Sequence, residues 1–135
     1  MNNNSYKNVL ITGAGQRIGR AIALDLARTG WTVAVHFNES RSAAEKVVEE
    51  ICVAGGNAVS VSANLAEEDE ASTLVARSTD KIGPITCVIN NASVFEQDIP
   101  LTVTKATWDK RMQINLRAPF ILAQAFAQQL PVSNK

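Results

Sequence analysis

The sequence predicts an α/β fold of three layers, in which parallel strands in the order 3-2-1-4 lie between two layers of helices. Short apolar segments alternate with longer segments whose apolar residues recur every three or four positions, as strands and helices do when they alternate. Glycine-containing turns separate most of these segments. A glycine-rich segment also follows the first apolar run directly, where a strand would lead into a helix. Strands joined by helices pair in parallel through right-handed crossovers, which gives this architecture.

Four strands and four helical segments are predicted. The strands cover residues 9–12, 32–37, 58–62 and 85–90. The helices cover residues 20–26, 44–51, 67–82 and about 105–130, the last with an irregularity at Pro119, which has no N–H for the helix ladder. An inner face is predicted in the first helix for Ile18, Ala21, Ile22 and Leu26, and in the last helix for Ile114, Ala118, Ile121, Leu122 and Ala125.

The composition favours one domain over residues 1–135, located in the cytoplasm. Hydrophobic residues make up 46% of the chain, which is enough for a core, and the formal net charge is zero. The chain therefore lacks the basic excess that nucleic acids or anionic membranes attract, and no apolar run reaches the roughly 20 residues that span a bilayer. Cys52 and Cys87 are expected to be reduced, buried thiols, and the polar N-terminus does not resemble a signal peptide.

Gly13, Gly15 and Gly19 stand between the first predicted strand and the first predicted helix. Glycine lets the backbone come close to a pyrophosphate, and the N-terminus of a helix offers free N–H groups and the positive end of its dipole. This segment therefore predicts a phosphate-binding corner, with a turn that holds no ligand as the alternative. The segments after residues 37 and 90 end at the same carboxyl edge of the sheet, where ligands of such sheets bind.

The segment TGAGQRIG at residues 12–19, the segment NNAS at residues 90–93 and Asn115 resemble the successive landmarks of the short-chain dehydrogenase/reductase family. The resemblance covers residues 7–131 and implies a Rossmann-like, NAD(P)-binding fold. Arg17 stands where the family fingerprint usually has glycine. Together with Phe95 and the Pro100-Leu101 pair, it makes the chain more similar to the pteridine reductase branch.

The resemblance implies a set of site residues. The cofactor-binding set is Gly13, Gly15, Arg17, Ile18, Gly19, Phe37, Asn38, Ser40, Arg41, Asn64, Leu65, Asn91, Ala92 and Ser93. Arg17 would contact a cofactor phosphate, and Asn91 and Ala92 would line the adenosine side. Ser93 and Phe95 would lie near the nicotinamide and the substrate, unless Phe95 is an apolar loop anchor. No metal site is expected.

The resemblance also implies specific roles for two asparagines, Asn64 and Asn115. Asn64 replaces the aspartate that usually bonds the adenine, and it keeps an oxygen acceptor. Asn115 corresponds to a structural and catalytic asparagine that holds a water for proton relay. The alternative for Asn115 is a helix asparagine whose hydrogen bonds are satisfied within the fold.

The end of the second predicted strand favours NADP over NAD. NAD-binding members usually have an acidic residue there, which holds the ribose 2′-OH, whereas this chain has Phe37. Asn38, Ser40 and Arg41 follow and could bond or neutralise a 2′-phosphate, with Arg17 as a second cation; Glu39 opposes this preference. His36, the single histidine, is expected near the adenosine and not as a catalytic base.

The family's catalytic Tyr-x-x-x-Lys motif does not occur in this sequence, whose single tyrosine is Tyr6. We therefore expect the N-terminal, cofactor-binding part of an enzyme, inactive by itself, with an open edge on its fourth strand. The chain is expected to form a homo-oligomer through the helix around residues 115–130. No nucleic-acid or membrane partner is expected.

Two functions follow from the resemblance. The first is an NADP-dependent reductase that transfers hydride from NADPH to a ring C=N or C=O of a small molecule, of the pteridine or dihydrofolate type. Within it, a 3-oxoacyl or sugar reductase is the alternative substrate class. The second is a non-catalytic NADP-binding half-domain or fragment.

Overall fold

A computed structural model describes residues 6–130 of the chain and contains four strands and five α-helices. The strands are β1 (Asn8–Ile11), β2 (Thr32–Phe37), β3 (Asn57–Ser62) and β4 (Cys87–Ile89). The helices are α1 (Arg17–Arg28), α2 (Arg41–Val53), α3 (Glu68–Ile82), α4 (Lys105–Met112) and α5 (Ala118–Gln129), with a π turn at Gln113–Arg117 between the last two. Pro131, where the family resemblance ends, and residues 1–5 of the polar N-terminus lie outside the described residues.

The four strands form one parallel sheet in the order β3-β2-β1-β4, which confirms the predicted fold class and strand order. β1 pairs with β2 from Asn8↔Thr32 to Ile11↔Val35 and with β4 from Val9↔Cys87 to Ile11↔Ile89. β1 is therefore central, and the turn that follows it has a neighbouring strand end on each side.

Each face of the sheet has its own hydrophobic core. Val9 and Ile11 point to the side covered by α1 and α2, whereas Leu10 points to the side covered by α3 and α5. All three side chains are fully buried. This alternation explains why β1 has an unbroken apolar sequence, as strands covered on both faces do.

The predicted inner face of α1 is wrong in part. Ile18 is 70% exposed and Ala21 is exposed, whereas the buried positions are Gly19 and Ala23. The helix starts at Arg17, earlier than predicted, and it turns its glycine toward the strand ends. Only a residue without a side chain fits so close to the glycine turn, which sets the rotation of the whole helix.

The C-terminal helical region is interrupted just before the predicted position. The π turn at Gln113–Arg117 directly precedes α5, which has Pro119 in its first turn. The predicted inner stripe is confirmed: Ile114, Ala118, Ile121 and Leu122 are buried in the core with α3, and Ala125 is partly buried against it. The opposite face carries the exposed side chains of Trp108, Met112, Leu116 and Phe120.

β4 is shorter than predicted. Ile85 is buried but lies before the paired residues, and Asn90 already belongs to the following loop. The expected burial of both cysteines is wrong: Cys87 of β4 is half-buried, and Cys52 of α2 is exposed. Among residues 6–130, β1 is the one strand that pairs with β4, so the other edge of β4 has no strand partner within this part of the chain. The same residues include no helix of the length and apolarity that crossing a membrane requires.

Candidate functional site

The glycine turn, residues 12–16, leaves the carboxyl end of β1 and enters α1. Gly13 has φ +64°, a conformation that side chains disfavour, and a Cβ there would lie 3.0 Å from the Cα of Ala92. Gln16 precedes α1 without a side-chain cap on the helix. The first N–H groups of a helix have no partner within the helix, so this N-terminus can receive an anion.

Gly19 allows α1 to pack onto this turn. A Cβ at position 19 would overlap the carbonyl oxygen of Gly13 and lie 2.6 Å from the Asn91 side-chain nitrogen. Contacts this short cannot be relieved without moving the backbone of the turn. The third glycine of the motif is therefore required by packing.

On the β4 side, Thr12 and Asn91 hold the glycine turn. The Thr12 hydroxyl oxygen accepts hydrogen bonds of 3.0 Å from the backbone N–H groups of Asn91 and Ala92. The Asn91 side chain donates to the carbonyl oxygens of Thr12 at 3.0 Å and Gly13 at 3.1 Å. Asn91 is predicted to bind cofactor. Within the fold, its side-chain hydrogen bonds link the segment after β4 to the turn after β1.

On the β2 side, His36 holds the same turn. Its Nδ1 accepts a 3.0 Å hydrogen bond from the Gly13 N–H, and its Nε2 lies 2.9 Å from the carbonyl oxygen of Ala63. Burial lowers the pKa of His36; the hydrogen bond to Ala63 opposes this, and the positive charge of Arg77 adds to it. His36 was expected near the adenosine from the sequence, which gave no sign of these contacts.

Two grooves flank the glycine turn. The β2 groove is lined by Gly13, Gly15, Gln16, His36, Phe37, Asn38, Glu39 and Ser40. The β4 groove is lined by Gly13, Gln16, Arg17, Ile18, Asn91, Ala92 and Ser93. A smaller pocket below them includes Asn64, Leu65, Val94 and Ile114. Together they bring most of the predicted site residues to one edge of the sheet.

Arg17 has φ +49° and is the one non-glycine residue with a positive φ among the described residues. Glycine, which usually stands here in the family fingerprint, adopts such a φ without strain. A left-handed backbone costs a residue with a side chain roughly 1–2 kcal/mol. Arg17 lines the β4 groove and not the β2 groove, so it lies on the opposite side of the turn from Ser40.

At the end of β2, the Phe37 ring is buried, and the Arg41 guanidinium lies 5.2 Å from its centroid. Arg41 is exposed and also approaches Glu45 at 3.4 Å. Ser40 precedes α2 without capping it through its side chain. A second helix N-terminus and a cation therefore adjoin the β2 groove, and Glu39 is the acidic residue among its lining residues.

Asn64 and Leu65 follow β3. The Asn64 side-chain oxygen accepts a 3.0 Å hydrogen bond from the Ala66 N–H, and the Asn64 N–H donates to Glu70. Leu65 is buried. The side-chain oxygen of Asn64 thus stabilises the turn after β3, and both residues line the smaller pocket.

Asn115 lies in the π turn and binds the loop that follows β4. Its side-chain oxygen accepts from the Val94 N–H at 2.8 Å, and its amide nitrogen donates to the Val94 carbonyl at 2.9 Å. Ser93 lines the β4 groove, next to this anchored residue. The Phe95 side chain is 88% exposed, which argues against a packed loop anchor.

Arg111 fixes the rest of this loop. Its guanidinium donates to Asp98 at 2.9 Å and to the Glu96 carbonyl at 2.5 Å. Sequence patterns did not reveal this pair, because Asp98 and Arg111 lie in different segments.

In the part of the chain that the structure describes, no cluster of three or more metal-binding side chains occurs.

Comparisons with known proteins agree with this geometry. A family model for short chain dehydrogenase matches residues 7–135. The 3-oxoacyl-(acyl-carrier-protein) reductase FabG of Staphylococcus aureus is 34% identical over 124 residues, which cover 92% of this chain and 50% of that protein. The chain spans about half the length of the curated relatives it matches.

Solved structures likewise match nearly all of this chain over about half of their own length. FolM alternative dihydrofolate reductase 1 from Brucella canis, complexed with NADP, has 40% identity and a TM-score of 0.87, covering 93% of this chain and 50% of that one. A short chain dehydrogenase from Burkholderia cenocepacia in complex with NADP has 31% identity and a TM-score of 0.88, covering 92% and 51%.

Proposed function

This chain belongs to the short-chain dehydrogenase family, and on that premise we propose that it forms the NADP-binding part of a reductase. The observation that carries the proposal is the glycine turn before α1, held from both sides and open to two grooves. When bound, NADPH would supply a hydride. The residues of this chain would bind and orient the cofactor.

In this proposal the pyrophosphate lies at the N-terminus of α1, against Gly13, Gly15, Ile18 and Gly19. The N–H groups and dipole of the helix would stabilise its negative charge. Arg17 would add a cation from the β4 side. The strain at Arg17 supports a functional role, because such conformations concentrate at ligand-binding positions.

The adenosine half would occupy the β2 groove. Asn38, Ser40 and Arg41 would bind the 2′-phosphate, with the N-terminus of α2 beside them. Phe37 has no carboxylate to repel that phosphate, and it supports the Arg41 guanidinium from below. Glu39 lines the same groove and would have to turn outward.

The adenine would lie toward Asn64 and Leu65, with Asn91 and Ala92 on the adenosine side. The nicotinamide half would lie in the β4 groove beside Ser93. Asn91 would shape this path through its bonds to Thr12 and Gly13.

On the substrate side, we propose a pteridine- or dihydrofolate-type molecule that accepts hydride at a ring C=N or C=O. The 40% identity to an alternative dihydrofolate reductase supports this class. Phe95 is exposed, two residues after Ser93 of the β4 groove; it could stack on a flat ring, and Ser93 could bond that ring. Asn115, whose side chain bonds the Val94 backbone, would hold a water for the proton relay. The 34% identity to FabG favours the second candidate, a 3-oxoacyl substrate; a sugar is a further alternative.

We also propose a homo-oligomer through the helical region around residues 115–130. The exposed apolar face formed by Trp108, Met112, Leu116 and Phe120 supports it, since clustered exposed apolar side chains mark interfaces. A location in the cytoplasm belongs to the same proposal.

A substrate assay on the purified protein tests the reductase. NADPH oxidation is followed by absorbance with dihydrofolate, dihydrobiopterin and a 3-oxoacyl thioester as substrates. Faster oxidation with the pterins supports the proposal, and faster oxidation with the thioester supports the second candidate. Binding of NADPH with no oxidation by any substrate is expected if these residues supply only the cofactor site, whereas no binding of NADPH would contradict the proposal.

A further inference from the structure

His36 holds the first two peptide groups of the glycine turn. The Gly13 N–H donates to its ring Nδ1 at 3.0 Å, and the Ala14 N–H donates to its backbone carbonyl at 3.0 Å. The other ring nitrogen, Nε2, is 2.9 Å from the carbonyl oxygen of Ala63, just after β3. The imidazole is 2% exposed and thus spans the carboxyl ends of three strands.

The partners of His36 determine its proton. A backbone N–H can only donate, so Nδ1 must be unprotonated, and a carbonyl oxygen can only accept, so Nε2 must carry the hydrogen. The ring is therefore neutral, with both nitrogens satisfied. A charged ring would place an N–H against the Gly13 N–H. The charged group that acts on the ring is Arg77 of α3, which also opposes protonation.

This bond holds the N–H of the Thr12–Gly13 peptide, whose carbonyl oxygen accepts from the Asn91 side chain. Gly13 has φ +64° and no side chain, so its own conformational preferences are weak. Its orientation sets the direction of the following peptides, which lead into the uncapped start of α1. Thr12 and Asn91 restrain the turn only from the β4 side.

We propose that His36 is a positioning residue for cofactor binding: its neutral, Nε2-protonated ring holds the Gly13 peptide so that the turn accepts a pyrophosphate. The inference rests on the proposed NADP site. It assigns to the single histidine a role that needs one tautomer, not merely a buried side chain of suitable size.

Two substitutions separate the two ring contacts. In His36→Asn, the side-chain oxygen can occupy the Nδ1 position and still accept from Gly13, while the contact to Ala63 is lost. In His36→Gln, the amide nitrogen can reach Ala63, while the acceptor for Gly13 is lost. Calorimetric titration with NADPH near pH 7.5 is compared for both variants and the original protein, with thermal unfolding measured alongside.

We expect His36→Gln to weaken NADPH binding about tenfold and His36→Asn to weaken it much less, as loss of one well-placed hydrogen bond predicts. Equal affinities in all three proteins, or equal losses in both variants, would overturn the inference. A purely structural histidine would lower thermal stability in both variants without this split in affinity. An original protein that binds no NADPH would contradict the proposed function and remove this inference with it.

The tautomer is tested independently by ¹⁵N NMR of the imidazole, with His36→Gln identifying the signals. A protonated Nε2 and an unprotonated Nδ1 at neutral pH are expected. A protonated Nδ1 would overturn the inference, whatever the variants show.

Discussion

The glycine turn and the loop of residues 93–104 border the same edge of the sheet but are built differently. Buried or half-buried side chains from β2 and from the segment after β4 hold the turn. The loop is held by Asn115 at its start and by Arg111 further on, and Phe95, Ile99 and Leu101 in it are 56–91% exposed. The difference indicates that the proposed cofactor side is preorganised, whereas the proposed substrate side presents apolar side chains that can still adapt to a ligand.

The largest effect on the glycine turn is expected for Gly19→Ala. The added Cβ would overlap the Gly13 carbonyl and crowd Asn91, so the turn must move. We expect NADPH affinity to fall by roughly a hundredfold or more and the free energy of unfolding to fall by about 1–3 kcal/mol. Calorimetry and denaturant unfolding measure the two effects.

Gly55→Ala is the matched control. Gly55 has a positive φ, +88°, but a Cβ there would contact nothing within 4 Å, and Gly55 lies far along the chain from the turn. This variant should lose stability through backbone strain and keep its NADPH affinity. Similar affinity losses in both variants would mean that global destabilisation, not the turn, controls binding.

The second largest effect is expected for Arg17→Gly. Glycine removes the cost of a left-handed arginine, so the free energy of unfolding should stay the same or rise by about 0.5 kcal/mol, while NADPH binding should weaken about tenfold through loss of the cation. The same two measurements test this. A variant that loses stability and binds NADPH normally would show that Arg17 serves the fold.

Much of this edge was predictable from the sequence, because local patterns encode it. The segment of residues 12–19 and the apolar runs identified the turn and the strand order. The roles of His36 were not predictable, since its partners Gly13 and Ala63 lie 23 and 27 positions away. The outward position of Ile18 was missed because periodicity gives the spacing of a helix face but does not say which face packs. The π turn near Pro119 was located only approximately.

A smaller effect is expected for Arg111→Gln, which tests the loop. The ion pair with Asp98 and the bond to the Glu96 carbonyl are lost, so amides of residues 95–103 should exchange with deuterium severalfold faster. Global stability should change by no more than about 1 kcal/mol, as for other partly exposed ion pairs. Arg20→Gln, which breaks the exposed pair with Glu50, is the control and should leave that exchange unchanged. Unaltered loop exchange in Arg111→Gln would show that the loop is held by other contacts.

The smallest effect is a pH dependence of stability from His36. Burial lowers its pKa in the folded protein below the ordinary value of about 6.5. Between these two pKa values the unfolded chain binds more protons, so stability is fully present above about pH 6.5 and decreases as the pH falls toward the folded-state pKa. Denaturant unfolding across this window should show the slope, and His36→Gln should reduce it. An identical slope in the variant would assign it to other groups.

Paired calorimetric titrations with NADPH and NADH test whether the β2 groove and the glycine turn form an NADP site. We expect micromolar NADPH binding, weaker NADH binding, and loss of this preference in Arg41→Gln, because that variant lacks the cation beside Phe37. Binding of neither cofactor, or equal binding of both with no effect of Arg41→Gln, would contradict the account.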